Sequence, residues 1–379
     1  MFVYFDNAAT TKPLEAVIDA VSIGMREYFG NPSSLHKLGL EADRKLSSCR
    51  ELLAGTINAA SGEIYFTSGG SEGNNFIIKS MGKNGNHIIT TKFEHPSVLN
   101  TIRELKENGV DVTELSLNSD GRIDLQELKD SIRKDTVLVS VMHVNNEVGS
   151  IQDLEKIGEL IREYSDRARF HVDAVQSYGK IPIDVNKFKI DFLTVSGHKI
   201  HGPKGIGFCY IRKGLNPKPL ISGGGQERGY RSGTENVPAV MGMTEASVEA
   251  HKNLKESFNH AAELKEYFIS SIWDLKGIRI NSNPGEWNSP FILNVSFPGI
   301  KAEVLLHILE EKNIFVSTGS ACSSRGGKGK YVLAAMGLNE KESEGAIRFS
   351  FSRFNTKDEI DYTAEELKKA LIFLRRVRR

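Results

Sequence analysis

An α/β fold, a mainly parallel sheet flanked by helices with a smaller α+β domain after it, is what this 379-residue sequence predicts. Three observations carry the prediction. From about residue 60 to 213, short β-rich runs alternate with helical patterns, and that alternation favours parallel strands joined by helical crossovers. Polar and glycine-rich clusters follow directly on the apolar runs, where an open parallel sheet keeps its ligands. Beyond a loop at 221–238 a long helical pattern gives way to strands and helices in mixed order, which is the habit of an α+β unit.

The elements follow in order. "EIYFTS", "NHIITTKFE", "DVTELSL", "TVLVSVMHV", "RFHVDAV", "DFLTVS" and "GIGFCYI" read as strands, and "DLEKIGELIREYSD" has the apolar period of an amphipathic helix between two of them. After "ISGGGQERGYRSGTENVP" one long helix pattern runs from about 237 to 273. "FILNVSFPG", "IFVSTGS" and "AIRFSFSRFN" read as further strands, with helices over "AEVLLHILEEK" and "AEELKKALIFLRRV". The expected division is residues 1–14 as a segment packing with the small domain, 15–252 as the large ligand-binding domain and 253–379 as the small domain.

Composition excludes several classes. With 39% hydrophobic and 26% charged residues the chain is an ordinary globular one, and a formal net charge of +1 gives no global field toward nucleic acid or a membrane. The "LRRVRR" ending reads as a solvated helix end. No run has the length to span a bilayer, and "MFVYFDNAATTKP" lacks the pattern of a signal peptide, so a cytoplasmic protein is expected. Cys49, Cys209 and Cys322 are too few and too scattered for a disulfide framework or a zinc site. No metal is expected.

The residues just past the strand ends form a set. "GGSEGNN" after the first strand gives a glycine turn, a hydroxyl at Ser71 and a helix N-terminus, which suits a phosphate. The following ends carry His95, Asn145 and Asn146, Asp173 and Gln176, then Ser196, His198 and Lys199 in "SGHK". Phosphate donors, an aromatic platform, a carboxylate and a lysine are together the parts needed to hold pyridoxal phosphate: an amine to form a Schiff base and an acid to keep the ring nitrogen protonated.

The stretches "YFDNAATTKP", "GNPSSLH", "FTSGGSEGNN", "EHPSVL", "NNEVGSIQ", "HVDAVQSYGKIPID", "SGHKIHGPKGIG", "GGGQERGYRSGTENVP", "STGSACSS" and "IRFSFSRFNTKDEID" span nearly the whole chain. On them the sequence resembles the cysteine desulfurases of the NifS and IscS type, within the fold type I, class V aminotransferase-like pyridoxal phosphate enzymes. The resemblance implies a seven-stranded sheet in the large domain, a homodimer and L-cysteine as substrate. Sulfur would pass through an enzyme persulfide to acceptor proteins, either iron-sulfur scaffolds or thiolation enzymes. Position by position, it implies that Lys199 binds the cofactor and moves the substrate α-proton, that Asp173 pairs with the ring nitrogen and Gln176 with the ring hydroxyl, and that His95 is catalytic, stacking on the ring and helping with proton transfer. Gly70, Ser71, Ser196 and His198 would hold the phosphate, with Thr234 reaching in from the other subunit. Asn146 and Arg348 would orient the substrate carboxylate.

Cys322 is the implied sulfur acceptor. Small residues flank it, and Arg325, Lys328 and Lys330 follow closely; nearby cations favour thiolate, the reactive form. The chain departs from the family's habit in Gly70 and Ser71, where relatives often carry a bulkier small residue and a threonine, and in "RGGKGKY" after Cys322, which leaves the acceptor open. His36 in "SSLHKLG" fits the pattern with a structural or rim role. Two alternatives stand beside this reading: a selenocysteine lyase, cysteine sulfinate desulfinase or aminotransferase of the same fold, and a non-catalytic scaffold, against which Lys199 and Cys322 together argue.

Overall fold

The computed structural model describes residues 1–319 and 331–377. The chain opens with β1 (Val3–Tyr4), α1 (Glu15–Glu27) and α2 (Lys37–Gly55). It then alternates through β2 (Ile64–Thr67), α3 (Gly70–Met81), β3 (His87–Thr91), α4 (Pro96–Glu107), β4 (Asp111–Leu115), α5 (Leu125–Ser131), β5 (Thr136–Met142), α6 (Leu154–Tyr164), β6 (Arg169–Asp173), β7 (Phe192–Ser196) and β8 (Gly207–Ile211). The remainder is α7 (Val237–Lys252), α8 (Leu254–Ser271), β9 (Arg279–Ile280), β10 (Ile292–Ser296), α9 (Ala302–Glu310), β11 (Ile314–Phe315), α10 (Tyr331–Ala335), α11 (Glu340–Glu344), β12 (Ala346–Ser350) and α12 (Lys357–Val377).

The seven strands of the large sheet lie in the order β2-β8-β7-β6-β5-β3-β4. The run β4, β3, β5, β6, β7 is parallel, while β8 is antiparallel to both β7 and β2. Between β7 and β8 the chain makes only a short 3-10 turn at Gly197–Lys199, too little for the crossover that a parallel partner requires. From β3 the chain steps outward to β4, and from β5 it steps the other way to β6 and β7. The carboxyl ends of β3 and β5 therefore flank a switch point, where a ligand crevice opens in such sheets.

Burial explains why β5 is central: every residue of "TVLVSVM" is buried, as expected of a strand covered by helices on both faces. Its Val139 and Val141 join Phe170, Val172, Leu193 and Val195 in one core that α7 covers with Val240 and Met243. A second core gathers Phe268 of α8, Leu293 and Val295 of β10, Ile347 and Phe349 of β12 and Leu367 of α12. Phe5 is buried within it, because β1 pairs in parallel with β11, Val3 opposite Ile314. Asp6 then bridges to Ser350 beside β12. The N-terminal segment thus threads the second core before Ala8 and Ala9 reach the sheet.

Two elements differ from the sequence reading. The helical pattern from 237 to 273 is two helices, interrupted at Asn253 (φ −106°, ψ 16°), whose side-chain amide donates to the Glu249 carbonyl at 2.8 Å. A short amide side chain that bonds the local backbone competes with helix continuation. The last helix starts at Lys357 rather than near Ala364, behind a capping box: Thr356 N donates to Glu359 Oε2 at 2.9 Å and Glu359 N to Thr356 Oγ1 at 3.3 Å. Among the described residues no helix is long and apolar enough to cross a membrane.

Candidate active site

The strand ends converge on one cleft lined by Gly70, Ser71, His95, Asn146, Asp173, Gln176, Ser196, His198, Lys199 and Arg348, together with Ala8, Ala9, Asn74 and Ser97. Local sequence explains how each arrives. Behind β2, Gly69 takes φ +148°, a conformation that glycine adopts without strain. A Cβ at Gly70 would stand 2.7 Å from Val175 Cγ2. Two glycines therefore let the start of α3 come in close, and no side chain caps that helix, so its first amides are open to an anion. His95 caps α4, its Nδ1 accepting from Ser97 N at 3.1 Å, with Pro96 opening the helix. Asp173 and Ser196 are the last residues of β6 and β7, and Lys199 closes the turn after β7. Arg348 comes from β12, in the other core.

Charge is distributed by burial and by hydrogen bonds. Asp173, 3% exposed, accepts from Asn74 Nδ2 at 2.8 Å and from Val175 N at 3.0 Å. Lys199 Nζ donates to the carbonyls of Ala8 (2.6 Å) and Ala9 (2.8 Å), and Gln176 Nε2 donates to the Ala8 carbonyl as well, at 2.8 Å. Burial pulls His198 down to about 4, with the Lys199 charge adding to the effect, so its ring is neutral at pH 7. Burial also holds His95 below the usual histidine value, with Asp173 opposing and Lys199 reinforcing. Arg348, 1% exposed, donates from Nη1 to the Asn146 carbonyl at 2.8 Å and from Nη2 to Asp6 Oδ1 at 2.7 Å.

Among the described residues, the strand-end Asn145 and the implied Thr234 do not line this cleft; Asn145 is buried and its Oδ1 accepts from Glu147 N and Val148 N. Thr234 sits on an exposed stretch ahead of α7 and away from the cleft of its own chain. Cys322 lies outside the described residues. The described chain on either side of it is fixed at the cleft: Ser317 and Arg348 exchange backbone hydrogen bonds at 3.2 and 2.7 Å, and Tyr331 Oη donates to the Glu94 carbonyl, next to His95, at 2.6 Å. Cys49 and Cys209 are both buried. Burial raises both thiols, Cys209 to about 12, so neither is a ready thiolate. His36 caps α2, accepting from Gly39 N at 3.3 Å.

Asn74, Ser97 and Asp6 are the contributors that strand-end reasoning misses. Asn74 and Ser97 lie inside helices rather than at strand ends, and Asp6 lies far away in sequence. Each nonetheless falls in a stretch already singled out, "FTSGGSEGNN", "EHPSVL" or "YFDNAATTKP".

Under the cleft, Glu94 is fully buried, and burial pushes its carboxyl up to about 8 although hydrogen bonds from Thr91 and Met142 pull the other way. A carboxyl whose pKa is higher folded than unfolded makes its stability contribution in full below its ordinary value of 4.5 and loses it as pH rises toward about 8. In that window the unfolded chain releases the proton that the folded chain keeps. Urea melts at pH 5 and pH 8 should therefore show a loss of stability in the wild type that Glu94→Gln, which cannot ionise, shows to a smaller extent. Equal losses in both proteins would refute the assignment.

Comparisons with known proteins point the same way as the geometry. Residues 3–363 match the family Aminotransferase class-V. The cysteine desulfurase IscS of Vibrio vulnificus (strain YJ016) is 43% identical over 382 residues, covering 98% of this chain and 93% of the relative. A solved structure described as a NifS-like protein superposes with a TM-score of 0.93 at 40% identity, covering 99% of this chain and 100% of the other. SspA in complex with cysteine superposes with a TM-score of 0.82 at 35% identity, covering 93% of this chain and 100% of the other.

Proposed function

We propose a division of labour among the cleft residues from the premise that this chain belongs to the class-V aminotransferase family and, within it, to the cysteine desulfurases. The enzyme converts L-cysteine to L-alanine, takes the sulfur onto one of its own cysteines, and uses pyridoxal phosphate as cofactor. The cleft fits that group. An uncapped helix N-terminus behind two glycines, with the hydroxyls of Ser71 and Ser196, makes a phosphate seat. A buried carboxylate and a lysine lie on the same cleft, at the ends of neighbouring strands.

The observation that carries the reading is this meeting of Lys199, Asp173, His95 and the open end of α3. When bound, the cofactor draws into its ring the electrons released at the substrate α-carbon. Asp173 would pair with the ring nitrogen, its carboxylate held in orientation by its two donors, Asn74 Nδ2 and Val175 N. Gln176 would reach the ring hydroxyl, His95 would stack on the ring, and Gly70, Ser71, Ser196 and His198 would hold the phosphate. Lys199 leaves the Ala8 and Ala9 carbonyls to take and return the substrate α-proton.

Arg348 and Asn146 orient the substrate carboxylate. The Asp6 partner fixes the guanidinium plane, and Arg348 Nε is a buried donor without a partner among the described residues. A planar fork of this kind matches a carboxylate two bonds at a time. The thiolate of Cys322 takes the substrate sulfur, a new S–S bond forming as the carbon–sulfur bond breaks, and holds it as a persulfide that an acceptor discharges. Iron-sulfur scaffolds and thiolation enzymes are the acceptor classes proposed. A homodimer is proposed on two grounds: Thr234 does not reach its own cleft, and Ile18, Ile23, Met25, Phe29 and Leu35 form an exposed apolar run over α1 and the loop after it.

The test combines purified protein, pyridoxal phosphate and L-cysteine, and quantifies alanine and protein-bound persulfide for wild type and Cys322→Ala, with light scattering on the same samples. Wild type should yield both products at twice the 42.0 kDa chain mass. The Cys322→Ala variant should keep the cofactor absorbance and form no persulfide. A wild type that binds the cofactor but releases no alanine, even with a reductant to discharge sulfur, sinks the reading and turns attention to selenocysteine and cysteine sulfinate.

A further inference from the structure

Asn74, on the first turns of α3, is 1% exposed and sits where its amide meets two groups at once. Its Nδ2 lies 2.8 Å from Asp173 Oδ2 and 2.9 Å from Ser97 Oγ. The orientation of the amide follows from chemistry: flipping it would set a carbonyl oxygen against a carboxylate, two acceptors with no proton between them. Both N–H groups are therefore spent on these two partners. The amide oxygen is buried without a partner among the described residues, so the side chain's polar contribution at this position comes from its donors.

The second donation has a consequence at His95. Ser97 Oγ, accepting from Asn74, has one proton of its own to place, and His95 Nδ1 lies 2.8 Å away. The backbone N–H of Ser97 already donates to the same nitrogen at 3.1 Å, so Nδ1 must present a lone pair and the ring proton belongs on Nε2. The hydroxyl joins that N–H as a second donor, and His95 is held in one orientation with its ring neutral.

We propose that Asn74 is a positioning residue whose one amide group couples the two protein neighbours of the cofactor ring, keeping Asp173 a correctly turned carboxylate and, through Ser97, locking His95. The proposal rests on the functional reading above, and it acts through Asp173 and Ser97 rather than on the reacting atoms. A side chain of similar size without a donor, such as leucine, could not serve, since it has no proton to offer Asp173 or Ser97.

The test uses the holoenzyme with pyridoxal phosphate labelled with 15N at the ring nitrogen and with 15N-histidine, read by NMR, and an absorbance titration of apoprotein for the cofactor Kd. Asn74→Ala should move the ring-nitrogen signal toward the unprotonated position and raise Kd by about tenfold, the effect of losing one charge-assisted bond. Ser97→Ala should leave the ring-nitrogen signal unchanged and shift the His95 signals, which are assigned from their disappearance in His95→Gln. Combining it with Asn74→Ala should add little to the His95 shift. A ring-nitrogen signal and a Kd within twofold of wild type in Asn74→Ala overturn the proposal. If that variant does not fold, Asn74→Leu, which keeps the side chain's size and has no donor, must displace the ring-nitrogen signal, and an unchanged signal overturns the proposal equally. Both readouts are independent of turnover, so a wild type that makes no alanine would count against the desulfurase reading without obscuring them.

Discussion

Lys199→Ala is expected to lower alanine release to about 10⁻³ of wild type or less, since proton transfer by a positioned side chain contributes about 10²–10⁴-fold and the covalent hold on the cofactor is lost with it. The amine sits at the end of the turn after β7, where the carbonyls of Ala8 and Ala9 hold it at the cleft mouth. Lys199→Arg separates the chemistry from the charge. A guanidinium keeps the positive charge and can still donate to those carbonyls, but it gives up no proton near neutral pH, so this variant should fail as fully as alanine. Both variants should unfold cooperatively, because the position is half-buried and belongs to neither core. Retained activity in Lys199→Arg would falsify the proton-transfer role.

Asp173→Asn should have the next largest effect, a fall of about 10²–10³ in kcat, the usual consequence of removing one preorganised electrostatic partner from a buried site. Both carboxylate oxygens accept from donors, Oδ2 from Asn74 and Oδ1 from Val175 N. An amide in its place must turn an N–H toward one of those N–H groups, which costs about 1–3 kcal/mol of stability besides the lost charge. The expected result is a lower melting temperature, weaker cofactor retention on gel filtration, and a kcat that excess cofactor does not restore. Recovery of full kcat at saturating cofactor would confine Asp173 to binding and remove it from the chemistry.

Much of this was legible in the sequence because it is local. The alternation of apolar runs gave the strands of the large sheet, and the rule that ligands sit past strand carboxyl ends picked out Gly70, Ser71, His95, Asn146, Asp173, Gln176, Ser196, His198 and Lys199, which line the cleft, together with Asn145, which instead holds its own turn. Each lies within a few residues of the run that delivers it, so chain direction alone carries it to the cleft. The antiparallel β8 was less visible, since an apolar run does not encode its direction; the short turn before it does. The break at Asn253 and the early start of α12 turn on single side-chain contacts that a periodicity argument averages away.

What the sequence determined by itself was the α/β class and the chemical inventory at the strand ends, because side-chain period and element order are properties of neighbouring residues. Tertiary structure alone decided the pairings. The Arg348–Asp6 contact joins residues 342 positions apart, and Asn74 reaches Asp173 across 99. The N-terminal carbonyls that receive Lys199 are delivered by a segment anchored in the second core. Such contacts depend on how two cores and a folded-back terminus stack against one sheet, and packing of that kind leaves no local periodic trace along the chain.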